Sequence, residues 1–240
     1  IYAYREAACR ANRIVAVYST FLQRAYDMLL HDVALMKLHV VLAVDHTGLV
    51  GADGETHHGA FDVGFLRQIP GMTVFCPANF EELRAMLRKA VWETSGPVAI
   101  RYPTGSEGRY TACTDAPLLR EGTDCTLVTY GTLVNAALGA AELCEKRGIS
   151  VEIVKLPRIA PLDMQPVLES VKKTGRILAA EETEDMGCVA ADIFAALEEG
   201  GIRAVCARAN LGCGFQPHGS IPELLHRAGL DAEGLFQKIL

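Results

Sequence analysis

"VVLAVDHTGLVGADGETHHGAFD", residues 40–62, begins as an apolar run and passes directly into a loop dense in glycine. The run from Val40 to Asp45 reads as a strand buried on both faces. The loop from His46 to Asp62 carries four glycines, three acids and the adjacent pair His57-His58. Such glycine density marks backbone that turns tightly or presses against a neighbour. Histidine beside carboxylates suits proton transfer or metal binding, because its ordinary pKa of about 6.5 lies near neutrality. Adjacent residues on an extended segment point opposite ways, so one histidine faces a site and the other faces away. Asp53 is expected to orient the site histidine. There is no H-E-x-x-H and no spaced His/Cys set, so no metal site is expected.

Outward from this stretch the same alternation continues. Strands are predicted at 13–18, 72–78, 96–103, 125–131, 150–157, 176–182 and 203–210. Helices are predicted at 21–38, 79–94, 132–147, near 164–174 and at 188–199, with short ones at 221–228 and 233–240. In the first, Leu22, Leu29, Val33 and Met36 fall near one face. In the second, Asn79 is the expected N-cap, with Glu82 three residues on. Strands alternating with helices define an α/β class with two parallel or mostly parallel sheets flanked by helices. Residues 104–124 are polar and aperiodic. The expected division is a domain over 1–105, a linker over 106–120 and a second domain over 121–240.

Composition narrows the function classes. A chain of 240 residues can bury roughly 70–75% of its unfolded surface without a staple. The net charge of −6 argues against a nucleic-acid surface. The eight cysteines form no C-x-x-C pair and point to a reducing cytoplasm rather than a disulfide framework. No apolar run is long enough to span a membrane. Ile1 rather than Met opens the chain, and the expectation is a piece of something longer.

In open parallel sheets, ligands bind beyond the carboxyl ends of strands. Three segments meet that condition: Tyr18 to Arg24, the loop 46–62, and Arg101-Tyr102-Pro103. Phe21 could stack on a flat ring there. Arg101, at the mouth of an apolar strand, is a natural anchor for phosphate or carboxylate. The acidic run 181–185 (EETED) reads as a solvated face.

Taken together, "YSTFLQRAYD" (18–27), "GLVGADGETHHGAFD" (48–62), "IPGMTVFCPAN" (69–79) and "GPVAIRYP" (96–103) resemble the 1-deoxy-D-xylulose-5-phosphate synthases. These are transketolase-like, thiamine-diphosphate-dependent enzymes. "VTYGTLVNAAL" (128–138) and "EETEDMGCVAADI" (181–193) resemble their C-terminal domain more loosely. The resemblance implies a pyrimidine-binding domain followed by a transketolase C-terminal-like domain. It implies condensation of pyruvate with glyceraldehyde 3-phosphate and loss of CO2, feeding isoprenoid, thiamine and pyridoxal synthesis. It assigns His57 and Asp53 to catalysis, and Phe21, Arg24 and Tyr18 to the aminopyrimidine and substrate channel. Arg101 would hold the acceptor phosphate. His46 stands where the family has an arginine as a second phosphate contact.

The family's catalytic glutamate lies in a G-I-A-E-Q-H-type motif. Residues 1–13 show no such motif, and Glu6 does not align with it. Diphosphate and Mg2+ are expected on an N-terminal domain outside this chain, so a truncated piece or a split subunit with a companion chain is expected. Self-association as a homodimer, or a heteromer, is expected as well. The alternatives are a non-catalytic dimerisation or regulatory relative, a transketolase, or a 2-oxoacid dehydrogenase beta subunit.

Overall fold

The computed structural model describes residues 13–240; Glu6 and the rest of 1–12 lie outside the described residues. The chain forms two five-stranded sheets. The first has the order β1 (Arg13–Tyr18), β2 (Val40–Asp45), β4 (Val98–Arg101), β3 (Thr73–Phe75), β8 (Arg158–Ala160). The second has the order β10 (Val205–Ala209), β9 (Arg176–Ala180), β6 (Cys125–Thr129), β7 (Val151–Lys155), β5 (Leu118–Arg120). All pairings are parallel except those of β8 with β3 and β5 with β7. Parallel strands buried on both faces explain why "VAI" in β4 and "CTLVT" in β6 show no polar alternation.

The edge strands cross the expected boundaries. β8 comes after β7 in sequence, yet it completes the first sheet. β5 lies inside the expected linker, where Pro117 O accepts from Lys155 N at 2.7 Å. One hydrophobic cluster runs from Leu42, Val44 and Val74 of the first sheet to Val128, Val154 and Ile177 of the second. The two sheets therefore share apolar packing across their junction.

The helix expected over 21–38 is shorter and irregular. Residues 19–34 pass through α, 3-10 and π turns. The wide turns close with Leu35 N to Leu30 O and Leu38 N to Val33 O, both 3.0 Å. The helix stops at Ala34, and residues 35–37 form a turn that leaves its buried face. Leu22, Leu29 and Val33 are buried as expected, whereas Met36 is exposed. The helix Phe80–Trp92 starts as its cap predicts, with Asn79 Oδ1 accepting from Glu82 N at 2.8 Å. Among the described residues no helix is long and apolar enough to cross a membrane.

Candidate functional site

β1 and β2 are paired in register, so Tyr18 and Asp45 end them side by side. The chain turns sharply after each. After β1 it enters the helical stretch bearing Phe21 and Arg24. After β2 it enters the 46–62 loop. This loop is pinched at its base by a reciprocal pair, Gly48 N to Gly59 O at 2.9 Å and Gly59 N to Gly48 O at 2.7 Å. The close approach is what requires glycine. A Cβ on Gly59 would lie 2.5 Å from His46 O and 2.7 Å from Ser19 Oγ. A Cβ on Gly48, whose φ is +71°, would meet the Glu182 carboxylate at 2.5 Å.

Above the pinch, six predicted site residues converge. Tyr18 Oη donates to Asp53 Oδ2 at 2.9 Å. The His46 ring stacks on Tyr18 at 4.1 Å between centroids. Its Nδ1 lies 3.0 Å from Asp45 Oδ1, so that nitrogen carries the proton it donates. Phe21 sits 4.9 Å from Tyr18 and 5.6 Å from His57, which meets it edge-on. Arg24 Cζ lies 5.8 Å from the Phe21 centroid. Burial, reinforced by the hydrogen bond and charge of Asp53, raises the Tyr18 pKa, so the phenol stays protonated at neutral pH. Phe21 is 45% exposed. It offers an open aromatic face beside polar groups.

The two histidines do point opposite ways. His57 joins the aromatic group, and its Nδ1 meets Thr56 Oγ1 at 2.9 Å. His58 is buried: its Nδ1 accepts from Val50 N and its Nε2 donates to Pro217 O, both at 3.1 Å. That pairing requires the neutral, Nε2-protonated ring.

Two of the candidate residues are engaged elsewhere. Asp53 does not orient His57; it belongs to the 3-10 turn Gly51–Asp53 and spends its carboxylate on Tyr18. Arg101 does not open onto the aromatic group. It is 5% exposed and its Nε donates to Asp62 Oδ2 at 2.8 Å, with Asp62 fully buried. Burial alone would lower its pKa, but Asp62 overrides this and raises it.

The acidic run 181–185 is likewise not a solvated face. Glu181 is buried and accepts from Tyr130 Oη, Val189 N and Ala190 N. Glu182 Oε1 accepts from Leu49 N at 2.7 Å, and Thr183 Oγ1 donates to Ala60 O at 2.8 Å. Burial raises the pKa of both glutamates. The run lies just past the apolar β9, at a strand's carboxyl end. That is the same signal that marked the 46–62 loop, and it could have found these residues.

The site fits part of a thiamine cofactor. A flat heteroaromatic ring can lie against the exposed Phe21 face, with His57, Tyr18 and Arg24 around it. Among the described residues no group of three or more His, Cys, Asp or Glu could hold a metal ion.

Residues 7–107 match the pyrimidine-binding domain of transketolase, and residues 114–235 match the transketolase C-terminal domain. The chain is 42% identical over 234 residues to the 1-deoxy-D-xylulose-5-phosphate synthase of Chlorobium phaeovibrioides, covering 94% of this chain and 37% of that protein. It is 41% identical over 229 residues to the synthase of Thermus thermophilus, covering 92% and 36%. It thus spans little more than a third of the length of these curated relatives. Among solved structures, a split-gene transketolase described as an inactive beta4 tetramer superposes with a TM-score of 0.86 at 26% identity, over 99% of this chain and 78% of that one. The transketolase of Campylobacter jejuni superposes with a TM-score of 0.74 at 21% identity, over 94% and 35%, a likeness of fold.

Proposed function

The chain belongs to the transketolase family, and from that premise we propose that it is the pyrimidine-binding and C-terminal part of a 1-deoxy-D-xylulose-5-phosphate synthase. The reaction is the condensation of pyruvate with glyceraldehyde 3-phosphate with loss of CO2. The carrying observation is the convergence of Tyr18, Phe21, Asp53 and His57 on one open face past the ends of β1 and β2.

Thiamine diphosphate, when bound, supplies the carbon nucleophile and the electron sink. The residues of this chain bind, orient and move protons. Phe21 carries the aminopyrimidine face, and Arg24 and Tyr18 border it. His57 has Nδ1 engaged by Thr56, which leaves Nε2 to exchange a proton with a substrate oxygen. Asp53 holds the Tyr18 hydroxyl in place. His46, fixed through Nδ1 by Asp45, turns its other edge to the acceptor. Mg2+ and the diphosphate are held by a region outside this chain, in the same polypeptide or in a companion. The split-gene neighbour, described as inactive in its beta4 form, supports that division. Self-association and a cytoplasmic location belong to the same reading.

Titration calorimetry with thiamine diphosphate and Mg2+ tests it. The chain alone gives no heat of tight binding. Adding the diphosphate-binding region restores binding and yields deoxyxylulose phosphate from pyruvate and glyceraldehyde 3-phosphate. Tight magnesium-dependent binding by the chain alone would overturn the division of the site. Restored binding without product would favour the non-catalytic reading.

A further inference from the structure

Arg101 ends an all-apolar strand, and every polar contact of its guanidinium is internal. Nε donates to Asp62 Oδ2 at 2.8 Å. Nη2 reaches Glu182 O at 3.2 Å and Gly59 O at 3.5 Å. Its Cζ lies 5.8 Å from the centroid of the Tyr130 ring. The contacts come from three places: the carboxyl stem of the 46–62 loop, the run after β9, and the turn after β6. Glu182 also takes the amino stem of the same loop, through Leu49 N at 2.7 Å. Both stems are thereby tied to the second sheet by the Arg101–Glu182 unit. His57 lies two residues before Gly59, on the segment that this unit holds.

The cleft beside Arg101, bordered by Thr47, Pro103, Tyr130 and Glu182, leaves only about 10 Å³ for the centre of a water-sized sphere. That is room for one water at most. A phosphate monoester does not fit there without breaking the Asp62 pair. Such a break would leave a buried carboxylate unpaired.

We propose that Arg101 is a positioning residue for His57, clamping the 46–62 loop to the second sheet, and not an anchor for the acceptor phosphate. The proposal rests on the proposed role of His57. Misplacing a proton-transfer group by about 1 Å can cost on the order of 10²-fold in rate, and that loss is indifferent to whether the acceptor carries a phosphate.

The test uses Arg101→Lys and Arg101→Met in the holoenzyme, assayed with glyceraldehyde 3-phosphate and with unphosphorylated D-glyceraldehyde. Amide hydrogen exchange across residues 46–62 is monitored in parallel. The expected result is a fall in kcat of about 10²-fold for Arg101→Met, equal for both acceptors, with KM for the phosphorylated one nearly unchanged. Arg101→Lys retains the charge beside Asp62 and recovers part of kcat. Exchange at His57 and Gly59 quickens in both variants, while β6 and β7 amides keep their wild-type protection. A raised KM for glyceraldehyde 3-phosphate alone, with unchanged exchange in 46–62, would overturn the proposal. Should Arg101→Met not fold, Arg101→Lys carries the same two readouts. A wild-type holoenzyme that makes no product from either acceptor defeats the proposed function, while quickened exchange in the variants still supports the clamp.

Discussion

On its outward side the 46–62 loop shows Asp53, Glu55, Thr56 and part of His57 to solvent; on its inward side it hides His58, Gly59, Ala60 and Asp62. The outward contacts are few and leave ring edges and polar groups open: Tyr18 to Asp53, Thr56 to His57, and rings meeting edge to face. The inward contacts are long-range and closed: Asp62 to Arg101, Leu49 to Glu182, His58 to Pro217, Ala60 to Thr183. Stiffness is supplied from the inner side, so the outer side can leave its chemical groups lightly bonded. A proton-transferring histidine needs that arrangement, because a nitrogen already satisfied by the fold cannot serve a substrate.

The comparison breaks most visibly at Asp62. Asp62→Ala leaves the Arg101 guanidinium buried with only carbonyl partners. The expected loss is about 3–5 kcal/mol of unfolding free energy, the range for removing one partner of a buried pair. Urea denaturation monitored by circular dichroism measures it. The double replacement Asp62→Leu with Arg101→Met sharpens the point, since removing both charges should cost much less than removing one. A loss below about 1 kcal/mol for Asp62→Ala would mean that the inner side is not what stiffens the loop.

His57→Ala is the outward counterpart and should show the opposite profile. Turnover of the holoenzyme falls by about 10²-fold, close to 2.7 kcal/mol in barrier, while the urea midpoint scarcely moves. Steady-state assays and denaturation of the same preparation test both halves. Unchanged turnover would remove His57 from the mechanism. A large drop in the midpoint would mean that the two sides of the loop are not separable.

The same division explains what could be read in the sequence. Tyr18 and Phe21 draw attention through local pattern, because an apolar strand ends at them, and His57 does so through the glycines and acids of its loop. Most strands and capped helices are legible for the same reason, as at Asn79 and in the short helix Ile221–Ala228, where Ser220 and Glu223 form a capping box. The inner side is not legible in that way. Asp62 lies 39 residues from Arg101, Glu182 lies 133 from Leu49, and no local period links them. An acid-rich run such as 181–185 has the same composition whether solvated or buried. Only the fold supplies the Tyr130 hydroxyl and backbone amides that make burying Glu181 tolerable. Met36 leaves the expected face for a smaller cause: the helix stops at Ala34, and Met36 falls in the turn that follows.

His46→Arg is the gentlest probe and reads the outward side alone. His46 holds a left-handed backbone (φ +52°) and pairs with its neighbours Asp45 and Tyr18. Arginine there loses the ring stack but keeps Asp45 within reach, so stability should stay within about 0.5 kcal/mol of wild type. The longer, permanently charged side chain extends over the open face, beside the cation that Arg24 already brings to the aromatic group. KM for glyceraldehyde 3-phosphate is expected to fall about three- to tenfold, or ~0.7–1.4 kcal/mol, with no change for unphosphorylated glyceraldehyde. Steady-state kinetics with both acceptors decides it. An equal change for the two would show that position 46 acts on the loop's shape rather than on the phosphate, and the outward side would then be less independent of the inner one than the contacts indicate. No change for either would place the acceptor phosphate away from the ends of β1 and β2, and Arg24 would become the next cation to vary.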